Sequence, residues 1–231
     1  MTTRDITTIT TKLLLSQAKT GDLLLCHETP LNYWNPIGWL SILIQRLGYS
    51  RYSHIGMIVH GSDLPESPLS SQKDPDNMYF LESSFDRSPD VLNGRQTFGV
   101  ECVSLNNYLS QYSSGVHGDL YYRSLETNRD TRFRTSFRTS FYHSLNKGYD
   151  LHPWDWIRAK FDIESCGQVQ RDDTFWCSAL VAYFYVQWGI LDKDIPWTLI
   201  APRRFSHYEN QELSFKQPLQ PEQKLLQVSS M

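Results

Sequence analysis

Short apolar runs closed by polar residues predict the strands of this chain. The first run, Leu23 to Cys26, follows a turn signal at Thr20-Gly21-Asp22. Four further segments rich in β-branched or aromatic residues have the same character: Ser53 to His60, Met78 to Ser84, Gly99 to Leu105 and Asp119 to Leu125. Together they predict a mainly antiparallel sheet of four or five strands.

Apolar residues at three- and four-residue steps predict the helices. One such helix opens at Asn35-Pro36, and Gly48 ends it. The other helices are expected from Ile6 to Lys19, from about Asn128 to Asn146, and from Thr174 to Trp188. Because helices flank one antiparallel sheet, the predicted fold class is α+β.

The pattern predicts one large domain between two short terminal segments. Residues 1–19 are expected to be a helical lead-in, residues 20–208 the domain, and residues 209–231 a Gln- and Ser-rich flexible tail. Of the 231 residues, 40% are hydrophobic and 20% are charged, which excludes intrinsic disorder, collagen and coiled coils. The net charge of -3 argues against a nucleic-acid footprint over the whole surface.

Targeting signals and cysteine spacing indicate the compartment. The first twenty residues lack the long apolar stretch of a secretory signal, and the longest apolar window, Ile37 to Leu47, is too short to cross a bilayer. The four cysteines show no C-x-x-C pair and no zinc-ligand spacing. We therefore expect free thiols, no metal and no cofactor, in a soluble cytoplasmic or intracellular protein.

Cys177 lies near the start of the most hydrophobic predicted helix. Asp173 or Thr174 can cap that helix through its side-chain oxygen, which places Cys177 at the third or fourth helical position. The free N–H groups and the helix dipole favour a thiolate there, the form that attacks a carbonyl. The alternative is inert packing, the commoner role of helical cysteines. The other cysteines have weaker settings and are expected to be structural: Cys26, Cys102 and Cys166.

A histidine and a glutamate lie inside apolar strands. His54 opens one strand, and Gly56, two residues on and on the same face, leaves room for another group to approach. Glu82 lies in the next predicted strand, where a carboxylate is costly unless it has a partner. Antiparallel pairing of the two strands makes His54 and Glu82 neighbours. The alternative for a lone strand histidine is hydrogen-bonded packing.

Several short motifs occur in the order typical of a known enzyme family. They are Gly21-Asp22-Leu23-Leu24-Leu25, Ser53-His54-Ile55-Gly56-Met57-Ile58-Val59, Phe80-Leu81-Glu82-Ser83, Tyr149-Asp150, Phe175-Trp176-Cys177-Ser178-Ala179-Leu180-Val181 and Ala201-Pro202-Arg203-Arg204-Phe205. From about Thr20 to Phe205 the chain resembles the circularly permuted branch of the NlpC-type papain-like cysteine hydrolases. That branch includes YiiX-like bacterial proteins and a poxviral relative, and in it histidine precedes cysteine. The Asn-Cys-Glu-His motif of lecithin–retinol acyltransferase relatives does not occur in the sequence.

The resemblance implies a permuted papain-like core and three catalytic residues. Cys177 would be the nucleophile, His54 the general base and Glu82 the residue that orients the imidazole. The expected reaction is hydrolysis or transfer of an acyl group from a peptide or lipid amide or ester, through a thioester. The Cys177 backbone N–H is a candidate oxyanion donor, and Tyr52 is a candidate for the second donor.

The sequence leaves other interpretations open. Trp176, with Trp34, Trp39 and the Trp154 to Trp156 segment, either lines an apolar substrate groove or fills the core. A non-enzymatic interaction protein that keeps the hydrolase fold is the main alternative function. Peripheral membrane contact and the oligomeric state also stay open, and no nucleic-acid partner is expected. Four arginines are interpreted as a solvated face rather than a patch for nucleic acid or anionic membrane: Arg129, Arg132, Arg134 and Arg138.

Overall fold

The computed structural model describes the chain over residues 6–28, 51–65, 73–84, 89–94, 96, 98–112, 118–145, 147–149, 174–209 and 212–226. Some of the expectations lie outside these residues: the helix from Asn35 to Gly48, the segment with Trp154 and Trp156, Trp34, Trp39, Asp150 and Cys166.

The described residues have the predicted α+β architecture, built on a nine-stranded sheet. The strands are β1 (Thr8–Thr10), β2 (Leu23–Glu28), β3 (His54–His60), β4 (Met78–Ser84), β5 (Gly99–Ser104), β6 (Gly118–Arg123), β7 (Gly148–Tyr149), β8 (Thr174–Phe175) and β9 (Gln223–Leu226). The helices are α1 (Thr11–Gln17), α2 (Leu105–Tyr112), α3 (Thr131–Ser144) and α4 (Cys177–Gln187), with 3-10 turns at Trp197–Leu199 and Pro202–Phe205. None of these helices is long and apolar enough to cross a bilayer.

The centre of the sheet consists of the five strands that the apolar runs predicted. Strands β6, β2, β3, β4 and β5 pair antiparallel in that order. The sheet is larger than the predicted four or five strands because β1, β7, β8 and β9 extend its two edges. Those strands have only two to four residues. Segments that short carry too little alternation for the sequence pattern to reveal.

Residues 212–226 contain a paired strand, where a flexible tail was expected over residues 209–231. Strand β9 pairs with β1 on one side and with β6 on the other. Leu213, Glu222 and Leu225 are buried. The expectation was wrong because long-range backbone pairing decides this strand, and a Gln- and Ser-rich composition does not report such pairing.

The amino-terminal lead-in is part strand and part helix, where a helix alone was expected. Thr8–Thr10 pairs in parallel with β9 before the helix begins. Thr10 then caps α1, because its side chain accepts a hydrogen bond from the Leu13 N–H at 3.3 Å. Residues 8–10 and 224–226 are thereby paired at one edge of the sheet.

Two apolar clusters cover the opposite faces of the sheet. The alternation along β2 shows this directly, since Leu23 and Leu25 belong to one cluster and Leu24 and Cys26 to the other. Helix α4 packs against β3 and β4 on the first face, and α2 packs against β4 and β5 on the second. The helix that begins with Cys177 therefore lies against the two strands that carry His54 and Glu82.

Asp22, in the Gly-Asp motif, is a buried hydrogen-bond centre. Its carboxylate accepts from the Tyr122 hydroxyl at 2.6 Å, the Leu125 N–H at 3.0 Å and Arg129 Nη2 at 2.8 Å. Burial raises the pKa of Asp22, although these hydrogen bonds and the Arg129 charge act in the opposite direction. Arg129 is thus not part of a solvated face, as had been expected, because a buried carboxylate binds its guanidinium.

A second buried centre fixes the carboxyl-terminal segment. The side chains of Arg123, which ends β6, and Glu222, which precedes β9, are fully buried, with Arg123 Nε 3.8 Å from Glu222 Oε2. Arg123 also donates hydrogen bonds to the Glu212 carboxylate and to the carbonyls of Phe205, Leu219 and Gln220. Glu222 accepts hydrogen bonds from the Tyr52 hydroxyl, the Ser206 hydroxyl and the His207 N–H.

Gly56 is required by the packing of its neighbour strand, which confirms the predicted close approach. A Cβ at Gly56 would lie 2.3 Å from Phe80 Cζ and 2.9 Å from the Leu81 carbonyl oxygen. We expect Gly56→Ala to lower the free energy of unfolding by about 1–3 kcal/mol, because Phe80 is fully buried and cannot move freely. Urea unfolding measures this change. Gly148→Ala is the control, because a Cβ at Gly148 would lie 3.8 Å from its nearest neighbour, Thr174 Cγ2. Equal stabilities of the two variants would contradict the prediction.

Candidate active site

Cys177 is the first residue of α4, earlier in the helix than the sequence predicted. Thr174 belongs to β8, which pairs with β7, and therefore cannot cap the helix. The N-cap is Trp176, which has extended backbone angles and makes no side-chain cap hydrogen bond. The Cys177 N–H therefore has no intrahelical acceptor and lies at the positive end of the helix dipole.

Side-chain hydrogen bonds from the two residues that flank Cys177 fix the start of α4. Trp176 Nε1 donates to the Thr198 carbonyl at 2.9 Å, and Ser178 Oγ donates to the Ile200 carbonyl at 2.6 Å. Both acceptors lie in or directly after the 3-10 turn that follows the helix. The backbone on either side of Cys177 is thereby anchored, which sets the position of the sulfur.

His54 and Glu82 are brought together as predicted. Strands β3 and β4 pair antiparallel with Met57 opposite Leu81, and His54 Nε2 is hydrogen-bonded to Glu82 Oε2. The Glu82 side chain is 3% exposed and that of His54 is 12% exposed. The buried carboxylate therefore has the imidazole partner that its burial requires.

Cys177 lies beside the His54 ring, because its charge and a side-chain hydrogen bond are among the influences that raise the pKa of His54, so all three predicted residues meet at one place. Ser83 Oγ donates to the Phe175 carbonyl at 2.6 Å, which ties the strand of Glu82 to the segment that enters α4. Nothing in the sequence pattern singled out Ser83 for this role.

The charge environment favours a protonated imidazole. Burial lowers the pKa of His54, but the negative charges of Cys177 and Glu82 and hydrogen bonds to both outweigh burial and raise it well above the usual value. The charges of its two neighbours therefore favour an imidazolium at His54.

Tyr52 does not have the role expected of it. Its hydroxyl donates to Glu222 Oε1 at 3.1 Å and its ring packs edge-on against Tyr121. Burial, first of all, and the Glu222 carboxylate raise the pKa of Tyr52, so its proton is firmly held. Because the Tyr52 hydroxyl already donates its hydrogen bond to Glu222, Tyr52 is a poor oxyanion donor and a structural residue of the buried centre.

Trp176 fills the core rather than presenting its indole to solvent. The residue is buried, and its only polar ring atom donates to Thr198. Of the two alternatives left open for this residue, the packing role fits the structure. The other tryptophans named with it lie outside the described residues.

Two described cysteines other than Cys177, namely Cys26 and Cys102, are buried free thiols. Cys26 Sγ lies 3.1 Å from the Tyr108 hydroxyl. Burial raises the pKa of Cys102 well above its usual value, and the nearby carboxylates of Asp90 and Glu101 add to this effect. These surroundings fit the structural roles expected for both residues.

Over the described part of the chain, no group of three or more His, Cys, Asp or Glu side chains is arranged to hold a metal ion. No protein-family model matches the chain, and no curated protein matches it either. Among solved structures, it is similar to YiiX from Escherichia coli O157:H7, which is described as a metalloprotein. The two share 18% identity over 86% of this chain and 87% of YiiX, with a TM-score of 0.45.

Proposed function

We propose that this chain is a cysteine-dependent hydrolase or acyltransferase, acting on an amide or ester bond of a peptide or lipid through a thioester. The observation that carries the proposal is the His54 ring, which is hydrogen-bonded to Glu82 and lies beside Cys177, whose charge raises the pKa of the ring. A nucleophile, a base and an orienting carboxylate at one place are the groups that thiol acyl transfer needs.

The first half of the reaction forms the thioester. The Cys177 thiolate attacks the acyl carbon, while the proton that the thiol has lost resides on His54. As the tetrahedral oxyanion collapses, the C–N or C–O bond breaks and the His54 imidazolium gives its proton to the leaving amine or alcohol. The products of this half are a Cys177 thioester and a neutral His54.

The second half returns the enzyme to its starting state. Neutral His54 takes a proton from water, or from an acceptor hydroxyl or amine, as that molecule attacks the thioester. The C–S bond breaks, and the thiolate–imidazolium pair is restored. Glu82 holds the ring in place and balances its positive charge in both halves.

The Cys177 N–H is our proposed oxyanion donor. It is the first N–H of α4, and backbone donors of this kind need no rearrangement when charge develops on the substrate oxygen. The anchoring of Trp176 and Ser178 on either side supports a fixed direction for this N–H.

We further propose that the fold is a permuted papain-like core. The base and its carboxylate come first, on β3 and β4, and the nucleophile comes last, at the start of α4. This chain order and the packing of α4 against β3 and β4 support the proposal.

A substrate screen tests the proposed activity. The protein is incubated with a mixed lipid extract and, separately, with a library of peptide amides, and products are identified by mass spectrometry against a Cys177→Ser blank. Products in one arm assign the substrate class. The absence of turnover in both arms, with a folded protein, would contradict the proposal and favour the non-enzymatic interaction protein.

The pH dependence of kcat/KM should report the charge on His54. The pKa of His54 is raised above its usual 6.5, so the imidazolium of the proposed ion pair with Cys177 persists above pH 6.5. The imidazolium is lost as the pH rises through the raised pKa of His54, and kcat/KM should fall there, on the basic limb of the profile. Glu82→Gln removes one of the charges that raise this pKa, so we expect its basic limb to move to lower pH.

The matched control is Glu126→Gln, which removes an exposed carboxylate from the segment before α3. Its pH profile should overlay that of the unmodified protein. A basic limb that stays in place in Glu82→Gln would show that Glu82 does not act on the imidazole.

A further inference from the structure

A polar cavity of about 440 Å³ lies at the other end of β3 from His54. His60, the last residue of β3, lines it, together with the segment before β2 and the segment before α3. His60 is six residues further along the strand than His54, which is about 20 Å at the usual rise per residue. The cavity is therefore distinct from the candidate active site.

Positive charge is in excess around this cavity. Lys19, Arg129 and Arg134 line it, and Arg138 lies one turn from Arg134 and donates to the carbonyl oxygens of Ser62 and Asp63. Two carboxylates bind these cations: Asp22 binds Arg129 and Asp63 binds Arg134. Two positive charges of this group, those of Lys19 on the cavity wall and of Arg138 next to the cavity, have no carboxylate partner among the described residues.

Buried and partly buried hydrogen bonds hold the walls of the cavity in place. The Asp63 carboxylate accepts from Thr20 Oγ1 at 2.5 Å and from Arg134 Nη1. Arg129 Nε donates to the Thr20 carbonyl at 2.9 Å, and its Nη1 donates to the Thr127 carbonyl at 3.0 Å. The cavity is thus preformed, which lowers the cost of ordering it when a ligand binds.

Three nitrogen donors on this cavity have no protein acceptor among the described residues. Lys19 Nζ makes no hydrogen bond or ion pair there, and Arg134 Nη2 also makes none. His60 Nδ1 lies 2.7 Å from Ser62 Oγ and 3.3 Å from the Ser62 N–H; in the tautomer whose Nδ1 accepts both hydrogen bonds the proton is on Nε2, which has no acceptor among the described residues. These three groups offer donors and no acceptors.

We propose that this cavity binds a soluble phosphate ester, as a second site beyond the proposed acyl chemistry. A phosphate dianion matches the two excess positive charges, and its acceptor-only oxygens match the three donors. The volume exceeds that of phosphate alone and lies in the range of small-molecule sites. The lining side chains are polar apart from Ala18, which disfavours an acyl chain as the occupant.

Calorimetric titration with inorganic pyrophosphate and with glycerol 3-phosphate tests this site, at constant ionic strength set with sodium chloride. Lys19→Gln removes one of the three donors, and we expect it to weaken saturable binding by roughly tenfold. Lys12→Gln removes the same charge from the exposed side of α1 and is expected to leave the affinity unchanged. His60→Gln supplies a second variant on another element and is expected to weaken binding as well.

The other results would overturn the proposal. Absence of saturable binding of either anion would do so, and so would equal weakening by Lys12→Gln and Lys19→Gln, which indicates non-specific charge attraction. Binding to vesicles of phosphatidic acid and phosphatidylcholine, without binding of the two soluble anions, would assign the surface to a membrane instead. Cys177→Ala should bind the anions as tightly as the unmodified protein, because the two sites are separate.

Discussion

Cys177→Ala should reduce acyl hydrolysis or transfer by roughly 10⁴-fold or more, to the uncatalysed rate. The reason is that the thioester cannot form without the sulfur, while His54 and Glu82 have no acyl-accepting role of their own. The measurement is kcat/KM on the substrate that the screen identifies, or hydrolysis of an activated ester such as p-nitrophenyl acetate. Near-ultraviolet circular dichroism checks that the variant keeps its packed core.

Cys102→Ala provides the matched control for this loss. Cys102 is a buried thiol like Cys177, but it lies in β5 among carboxylates. We expect this variant to keep the activity of the unmodified protein. Turnover by Cys177→Ala at a rate similar to that of Cys102→Ala would remove Cys177 from the mechanism.

Arg123→Ala should lower the free energy of unfolding by about 3–5 kcal/mol. The substitution leaves the Glu222 carboxylate fully buried without its cation, and it removes the donors that hold three backbone carbonyls. Chemical unfolding in urea, followed by tryptophan fluorescence, gives the change from the transition midpoint and slope.

Two further variants separate the buried ion pair from a general charge effect. Lys216→Ala breaks the Lys216–Asp192 bridge, whose side chains are 52% and 69% exposed, and should change stability by less than about 1 kcal/mol. Arg123→Met combined with Glu222→Leu should recover part of the loss, because neither charge is then left buried alone. A loss in Arg123→Ala no larger than that in Lys216→Ala would refute the structural role assigned to this pair.

The parts of the fold that the sequence predicted are those that burial dictates residue by residue. The central strands are apolar on both faces. The run from Leu23 to Cys26 can therefore be predicted as a buried strand without knowing which strands pair with it. The His54–Glu82 pair was predictable for a similar reason. A carboxylate inside an apolar strand needs a partner, and the adjacent strand carried the suitable imidazole.

The parts that the sequence did not predict depend on contacts between distant residues. Strand β9 exists because β1 and β6 both pair with it, and its own residues have no strong strand pattern. Helix α4 begins at Cys177, later in the sequence than predicted, because Thr174 belongs to β8, which pairs with β7. Judged from its local sequence alone, Thr174 is a suitable helix cap. The hydrogen bond from Tyr52 to Glu222 spans 170 residues and has no local signal.

The most direct test of the central claim is the rate at which iodoacetamide alkylates Cys177 at pH 6, with peptide mass spectrometry locating the label. If His54 holds the sulfur as a thiolate, iodoacetamide alkylates Cys177 rapidly at this pH. The rate in the unmodified protein should then exceed the rate in His54→Ala by roughly tenfold or more. Cys26 and Cys102 stay unlabelled in the folded protein. Equal rates of Cys177 labelling in the two folded proteins would contradict the account.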